Sequence, residues 1–228
     1  MSRIEQHNEK ERTSSMLNIW GRISSINVRK VVWCAQELGL DFQRTEAGGK
    51  FGVVQTPEYL ALNPNAMVPT IDDGEGTDRV TLWESNVIVR YLCARHSHGE
   101  FYPAELPMRF DAERWMDWQQ TTLNRASRDA FVQWVRTPPS ERQPALIDAS
   151  VRESEALFAM LDTHLAQRPY MAGARFTMAD IPIGCEAHRW FGLPAAEYHR
   201  PSWPNVERWY ADLLSRPGAR GVLDLSLE

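Results

Sequence analysis

Two adjacent serines, Ser24 and Ser25, lie where a short apolar segment meets a helix-forming pattern, and two cations follow at Arg29 and Lys30. The first N–H groups of a helix lack internal partners and carry partial positive charge, so a helix start favours an anion. A serine there commonly caps the helix, and its hydroxyl can instead donate to a bound anion. No neighbouring His or Asp offers a base, so we expect a working serine to stabilise another group's negative charge rather than to attack.

The cations Arg29 and Lys30 are locally unfavourable, because they fall in the first turn of the predicted helix, near the positive end of its dipole. Bound negative charge nearby would relieve this repulsion. The simpler expectation, which this feature alone favours, is that both side chains bend into the solvent.

Two further residue pairs have types that suit an amino-acid-like ligand. Val68 precedes Pro69 inside an apparent strand, where a cis bond would leave the Val68 N–H and C=O free to pair with an extended peptide; an edge-strand proline is the plain alternative. Glu84 and Ser85 open a predicted helix, whose free N–H groups can hold a carboxylate while Glu84 accepts from an ammonium group. A simple helix cap is the alternative there.

The segments that must position these residues alternate between strand and helix patterns through residue 96. Predicted strands cover residues 17–20, 40–46, 67–74 (interrupted by Pro69) and 80–83, and predicted helices run from Asn27 to the stop at Gly39, over 56–64 and over 84–96. The order βαβαββα predicts a small thioredoxin-like α/β domain.

Helical patterns replace this alternation from residue 108 onward, so the second half is predicted to be all-α. The predicted helices are 108–136, 145–167, 176–192 and 205–216, and Thr177 with Asp180 resembles a capping box. We therefore predict a disordered tail at 1–15, the α/β domain at 16–97, a linker at 98–107 and a helical domain at 108–228, with Met16 as a possible alternative start.

Composition narrows the function classes. The net charge of −5 gives no reason to expect nucleic acid as a partner, because nucleic-acid binding depends on basic patches. Apolar runs such as VVWCA are far too short to span a bilayer, and the polar residues 1–15 lack the apolar centre of a secretory signal. The scattered cysteines, odd in number, fit a reducing cytoplasm better than a disulfide framework; they are Cys34, Cys93 and Cys185.

Four segments, in this order and separation, resemble the glutathione S-transferase family: GRISSINVRKV, NPNAMVPTIDD, LWESNVIVRYL and FTMADI. The resemblance covers roughly residues 16–225 and is similar to the small bacterial members of the theta, nu and zeta branches. It implies a homodimer that binds glutathione and transfers its thiolate to a small electrophile by addition or halide displacement.

The resemblance implies roles for the start of the first helix. Ser25, four residues before Arg29, would donate to the glutathione thiolate, and Asn27 would supply a second donor; Ser24 is the alternative if the register slips by one. A free thiol has a pKa of about 8.5, and lowering it by about two units requires roughly 2.7 kcal/mol of thiolate stabilisation. One hydroxyl donor together with a helix N-terminus is of that order.

The resemblance also implies the remaining contacts of the tripeptide. Val68, before a cis Pro69, would pair with the cysteinyl backbone, and Lys50 would bind the glycyl carboxylate. Glu84 and Ser85 would hold the γ-glutamyl ammonium and carboxylate groups. A binding module would not need these contacts, so their joint presence favours an enzyme.

The electrophile is expected between the two halves, beside the long helix predicted at the start of the second. Arg22 follows the first strand, and Arg128 and Arg136 lie eight residues apart, about two helical turns, near one face. Three arginines near one cleft suit a carboxylated or otherwise anionic electrophile; solvated surface arginines are an equally weighted alternative. Phe131 and Trp134 are candidate pocket walls, although such aromatic residues more often pack in a core.

Three functions stay open at this point. The first is a glutathione transferase acting on a small, carboxylated or halogenated electrophile. The second is a glutathione-dependent isomerase, which the zeta-like pair Ser24–Ser25 favours, or a disulfide reductase of the same fold. The third is a non-catalytic transferase-like interaction module. His96 and His98 are expected to be solvated turn residues and no metal is expected, because no third ligand is near in the sequence.

Overall fold

The computed structural model describes residues 16–228, and the disordered tail predicted at residues 1–15 lies outside the described residues. The first half contains β1 Leu17–Trp20, α1 Ile26–Glu37, β2 Phe42–Thr45, α2 Pro57–Leu62, β3 Thr70–Asp73, β4 Val80–Trp83 and α3 Ser85–His96. This sequence of elements confirms the predicted order βαβαββα.

The four strands form one mixed sheet in the order β2-β1-β3-β4. β1 runs parallel to β2 and antiparallel to β3, and β3 pairs antiparallel with β4. The central strands and helices α1 and α3 share one apolar core, which includes Ile19, Val31, Ile71 and Ile88. Burial of these side chains fixes α1 and α3 side by side, so that their N-terminal ends lie together.

The second half is all-α, as predicted, and contains α4 Leu106–Trp118, α5 Asn124–Phe131, α6 Pro144–Leu165, α7 Asp180–Phe191 and α8 Pro204–Ser215. The helix predicted at 108–136 is helical throughout, but two π-helical turns, Gln119–Leu123 and Val132–Arg136, interrupt its α-helical hydrogen bonding. A π turn widens the helix locally and changes which side chains share a face. The face expected from α-helical spacing therefore does not hold along the whole segment.

Helix α7 is the most buried helix, and its first residue holds it in place. The Asp180 carboxylate accepts hydrogen bonds from the backbone N–H of Thr177 (2.8 Å), the backbone N–H of Met171 (2.9 Å) and Nε1 of Trp209 (2.9 Å). The Thr177 hydroxyl accepts from the N–H of Ala179 at 3.4 Å, which completes the predicted capping box. Burial raises the pKa of Asp180 to about 6, and these hydrogen bonds oppose that increase.

Among residues 16–228, no helix combines the length and the apolar composition needed to cross a membrane.

Candidate active site

The first helix begins at Ser25, whose hydroxyl is not used to cap it. Ser25 is the N-cap of α1 in extended backbone conformation, its carbonyl accepts from the N–H of Arg29 at 3.0 Å, and its N–H donates to the carbonyl of Arg22 at 3.1 Å. Within the described chain, the half-buried side chains of Ser24 and Ser25 make no hydrogen bond. Both hydroxyls therefore keep a donor for a ligand at the positive end of α1.

Arg29 is buried, so the expectation that it bends into the solvent was wrong. Its side chain is 4% exposed. The guanidinium donates to the carbonyl oxygens of Ile23 (3.0 Å), Val222 (3.0 Å), Leu225 (3.4 Å) and Ser226 (2.8 Å). Three of these acceptors belong to the C-terminal segment 222–228. We call this segment the tail from here on; it is distinct from the N-terminal residues 1–15. Most of the acceptors that hold the Arg29 guanidinium are therefore main-chain carbonyls of the tail, which is distant in the sequence.

Lys30 is fully buried, and the same expectation was wrong for it. Its ammonium donates to Oε1 of Gln119 at 2.8 Å and Oε1 of Gln120 at 3.1 Å, at the start of the first π turn. Burial lowers the pKa of Lys30 to about 8, and the charge of Glu186 opposes that decrease. A cation of α1 is thus held by side chains of the helical half.

The starts of α1 and α3 are joined by one hydrogen bond. The hydroxyl of buried Ser85, the first residue of α3, donates to Oδ1 of Asn27 at 3.2 Å. Glu84, the N-cap of α3, is exposed and has a φ of 73°, a left-handed conformation that is strained for a residue with a side chain. Such strain persists where the surroundings impose it, and here it falls at the N-cap residue, where α3 begins.

Val68 completes this group of residues. β3 begins only at Thr70, after a cis Val68–Pro69 bond, so Pro69 precedes the strand rather than interrupting it as predicted. In the described part of the chain, the N–H and C=O of Val68 make no backbone hydrogen bond. We call Ser25, Asn27, Val68, Glu84 and Ser85 the helix-start site, because four of the five residues lie at the first turns of α1 and α3.

A glycine loop lies between the helix-start site and the arginines. A Cβ added at Gly48, where φ is 79°, would meet Nη1 of Arg22 at 3.1 Å and Cγ1 of Val68 at 3.3 Å. Glycine is therefore needed for this close approach. The neighbouring Lys50 is exposed, with its ammonium 5.3 Å from the ring centroid of Phe51.

An open cleft of about 310 Å³ begins at the start of α1 and is lined by Arg22, Ser24, Lys50, Arg136 and Glu228. We call it the arginine cleft. Nε and Nη2 of Arg136 donate to the main-chain oxygen of Glu228 at 2.9 and 2.8 Å. Burial lowers the pKa of Arg136, and the charges of Arg189, Arg22 and Arg128 lower it further. Three of the residues that line the cleft are cationic and one, Glu228, is acidic, so positive charge predominates there.

Two residues predicted for the electrophile pocket do not line the arginine cleft. The Arg128 side chain is 65% exposed and lies 3.5 Å from the Asp129 carboxylate. Trp134 is buried, stacks on Tyr198 with ring centroids 5.4 Å apart, and lines a separate surface groove. The second π turn begins between Phe131 and Trp134, so these two rings no longer share a face.

Phe131, a third residue predicted for the electrophile pocket, does not line the arginine cleft either, but it has two cationic neighbours. Its ring centroid lies 4.6 Å from the guanidinium carbon of Arg136 and 4.7 Å from that of Arg189. Phe131 and Arg189 also line a small inner pocket with Ser24 and Glu228. The sequence interpretation missed Arg189 and its partner Glu186, although two opposite charges three residues apart inside an apolar helix were a usable signal.

No metal-binding group is found among residues 16–228, where no three His, Cys, Asp or Glu side chains come together. His98 is exposed, as expected for a turn. His96 is only partly exposed, with Nε2 3.8 Å from an oxygen of Asp73, and burial lowers its pKa.

Comparison with known proteins gives consistent matches over both halves. Models of the glutathione S-transferase N-terminal and C-terminal domains match residues 24–95 and 126–217. Glutathione S-transferase GstB of Escherichia coli K12 is 41% identical over 208 residues, 91% of this chain and 98% of that protein. The theta-class glutathione S-transferase of the citrus canker pathogen Xanthomonas axonopodis pv. citri, with glutathione bound, is 44% identical at a TM-score of 0.86, covering 93% of this chain and 99% of that one.

A more distant relative is an elongation factor. Elongation factor 1-gamma 1 of Oryza sativa subsp. japonica is 27% identical over 175 residues, which are 74% of this chain but only 39% of that protein.

Proposed function

Because the chain belongs to the glutathione S-transferase family, we propose that its helix-start site holds glutathione and that its arginine cleft holds the carboxylate of a small electrophile. The glutathione sulfur attacks the carbon that carries a leaving group such as a halide. The carbon–sulfur bond forms as the halide leaves with its electron pair, so the products are the thioether and the halide ion.

The thiolate is held at the start of α1. The Ser25 hydroxyl donates to the sulfur, Asn27 supplies a second donor, and the helix dipole favours the negative charge. The support for this role is that the Ser25 hydroxyl makes no hydrogen bond in the described chain. Ser24 lines the adjacent cleft, so it is the alternative donor if the sulfur lies closer to the arginines.

The tripeptide backbone is bound by Val68 and by the start of α3, whose first N–H groups make no backbone hydrogen bond among residues 16–228. The N–H and C=O of Val68, next to Pro69, pair with the cysteinyl residue. The N–H groups at the start of α3, including that of Ser85, hold the γ-glutamyl carboxylate, and Glu84 accepts from its ammonium group. The Ser85 hydroxyl donates to Asn27 and thereby orients it. Exposed Lys50 takes the glycyl carboxylate.

One observation supports the proposal that the electrophile is anionic. Arg22 and Arg136 line the cleft beside Ser24, and over residues 16–228 neither forms an ion pair with an Asp or Glu side chain. The chain as a whole has a net charge of −5, so this local excess of positive charge is not a property of the overall composition. A carboxylate matches the planar donor geometry of guanidinium groups.

We extend the proposal to assembly and location. Large apolar side chains are exposed on both halves, among them Met67 and Phe110 at 64% each, and a homodimer would cover them. The cysteines Cys34, Cys93 and Cys185 are free, which suits the cytoplasm.

Calorimetric titration with glutathione and an assay of turnover test the function together. Chloroacetate and chloroacetamide form a matched pair of electrophiles that differ in charge, and free chloride reports displacement for both. We expect glutathione binding in the wild type and in Ser25→Ala, with turnover of both electrophiles reduced about 100-fold in the variant, the equivalent of two pKa units. Ser24→Ala is the matched control and is expected to keep most of its turnover.

The other outcomes each identify a different function. Absence of glutathione binding in the wild type would remove the helix-start site and favour an interaction module. Binding without glutathione consumption would favour an isomerase. Formation of glutathione disulfide from a mixed disulfide substrate, with no chloride release, would favour a reductase. Equal turnover of the two electrophiles, relative to their uncatalysed rates, would contradict the choice of a carboxylated substrate.

A further inference from the structure

We propose that Arg189, oriented by Glu186, is a second substrate-binding arginine that grips the electrophile's carboxylate together with Arg136, across the edge of Phe131. The inference rests on the proposed function, since it assigns a further specificity-determining residue to the inner pocket, which shares Ser24 and Glu228 with the arginine cleft. Arg189 lies on α7, far along the chain from Arg22 and Arg136.

The position of Arg189 places it at the pocket rather than in the general core. Its guanidinium and that of Arg136 lie 4.7 and 4.6 Å from the centroid of the same Phe131 ring. Arg189 lines the inner pocket together with Ser24, the residue that also lines the arginine cleft. Both guanidiniums therefore contact the same ring, and a carboxylate bound beside Phe131 can accept from both.

Arg189 also has donors to spare, although it is only 9% exposed. In the described structure, one guanidinium nitrogen, Nη1, donates to Oε1 of Glu186 at 3.0 Å, and no hydrogen bond uses Nε or Nη2. A guanidinium carries five N–H donors. Arg189 lines the inner pocket, so these two nitrogens are available to an anion bound there.

Glu186 is a positioning residue, because it fixes Arg189 without facing the cleft. Its fully buried carboxylate also accepts from Ser127 Oγ (2.6 Å), Gln119 Nε2 (2.8 Å) and Asn124 Nδ2 (3.0 Å). Burial acts to raise the pKa of Glu186, but the Arg189 charge and these hydrogen bonds outweigh it, so the pKa lies below its ordinary value. The carboxylate is ionised and held from four sides.

Stability alone does not account for this arrangement. Removing two opposite charges from water costs about as much as their attraction returns, and apolar replacements of buried ion pairs are often neutral or stabilising. Lys30 contributes a second cation to the same network through Gln119. Lys30 and Arg189 together carry more positive charge than Glu186 neutralises, and of the two cations it is Arg189 that lines the inner pocket.

Binding of the substrate carboxylate requires one exchange of partners. Arg136 now donates to the main-chain oxygen of Glu228 in the tail. The substrate carboxylate takes the place of that oxygen and can accept from Nε and Nη2 of Arg136 together, as a bidentate pair. Arg189 needs no such exchange, because its spare donors already border the pocket. Arg189 therefore contributes to affinity for the carboxylate, and it does not act on the thiolate.

The experiment measures kcat and KM for chloroacetate and chloroacetamide in Arg189→Lys, Glu186→Gln and the double variant Arg189→Met/Glu186→Gln. The double variant removes both members of the buried pair, so that neither charge is left alone. We expect kcat/KM for chloroacetate to fall about 10- to 100-fold in the double variant, mainly through KM, and kcat/KM for chloroacetamide to change less than about 2-fold. Arg189→Lys is expected to recover part of the loss.

Glu186→Gln separates positioning from binding. It retains Arg189 and most of the hydrogen bonds but removes the charge that orients the guanidinium, so we expect KM for chloroacetate to rise about 3- to 10-fold with kcat retained. Arg114→Met on α4, whose side chain is 66% exposed, is the surface control and is expected to match the wild type.

The glutathione Kd, measured on each variant by calorimetry, is the control for folding. An unchanged glutathione Kd together with an unchanged chloroacetate KM in the double variant would overturn the role of Arg189. An equal loss for both electrophiles would also overturn it, because a structural role predicts that result. A wild type without preference for chloroacetate would instead refute the carboxylated substrate itself, so the two failures are distinguishable.

Discussion

The helix-start site and the arginine cleft lie side by side, but they are built from different groups. The helix-start site uses backbone N–H groups and short side chains at the first turns of α1 and α3, within one α/β unit. The arginine cleft uses long side chains from both halves, and the tail lies against it. Backbone donors are positioned once the helices form, whereas the guanidiniums are positioned only once the two halves pack. Under the proposed function, activation of the glutathione thiol and choice of the electrophile therefore depend on different levels of structure.

The largest expected effect is a loss of stability when α7, the helix that carries Arg189, loses the carboxylate at its start. Asp180→Ala leaves the N–H groups of Met171, Thr177 and Trp209 without their acceptor in the core. We expect the free energy of unfolding to fall by about 3–5 kcal/mol, because each unsatisfied buried donor costs about 1–3 kcal/mol. Urea titration followed by tryptophan fluorescence measures it. Asp180→Asn keeps an acceptor and is expected to lose less, and a loss below about 1 kcal/mol in the alanine variant would contradict the importance of this cap.

The second prediction concerns Lys30, the cation of α1 that is held by the helical half. Its pKa is lowered by burial from 10.5 to about 8, so the unfolded chain binds the proton more tightly than the folded one. Stability from this group is therefore greatest above the unfolded pKa and is lost as the pH falls through the folded pKa. The stability of the wild type relative to Lys30→Met should rise by about 2 kcal/mol between pH 8 and pH 10.

Urea titrations of both proteins at several pH values check this prediction. At each pH, the difference in unfolding free energy between the two proteins removes the contribution of all other titrating groups, because both proteins share them. A constant difference over this pH range would show that Lys30 keeps an ordinary pKa, and that the junction of the two halves tolerates its charge.

Arg136→Met sharpens the comparison, because it should affect one region only. We expect kcat/KM for chloroacetate to fall about 10- to 100-fold, since charge-assisted hydrogen bonds contribute about 1.5–3 kcal/mol, while the glutathione Kd stays the same. Arg128→Met is the matched comparison, because Arg128 is exposed beside Asp129 and does not line the cleft. Its expected loss is about 2-fold, and equal losses in both variants would indicate a diffuse electrostatic effect instead of a site.

The smallest effect is expected from Asn27→Ala, which removes the hydrogen bond between the starts of α1 and α3. The Ser85 hydroxyl loses its acceptor, and a typical hydrogen bond contributes about 1 kcal/mol. The glutathione Kd should rise about 5-fold in calorimetry, and turnover should fall equally for chloroacetate and chloroacetamide. A change in the turnover of chloroacetate relative to chloroacetamide would mean that the helix-start site and the arginine cleft are coupled, although they are formed by different groups.

The sequence by itself determined the order of elements and the family. Helical and strand periodicities are local, and so are stop signals such as Gly39 and the Thr177–Asp180 cap, so each can be recognised within a few residues. The starts of α1 and α3 follow from the same local signals, and for that reason Ser25, Glu84 and Ser85 could be proposed before any contact was known.

Only the tertiary structure decided where the charged side chains lie. Arg29 donates to Val222, 193 positions along the chain, and Lys30 donates to Gln119, 89 positions away. Local sequence predicted solvent for both side chains. Likewise, a π turn moved Trp134 away from the cleft, and helix packing brought Arg189 to Phe131. A long cation is placed by whichever acceptors folding brings near it, and acceptors so distant along the chain leave no local pattern around it.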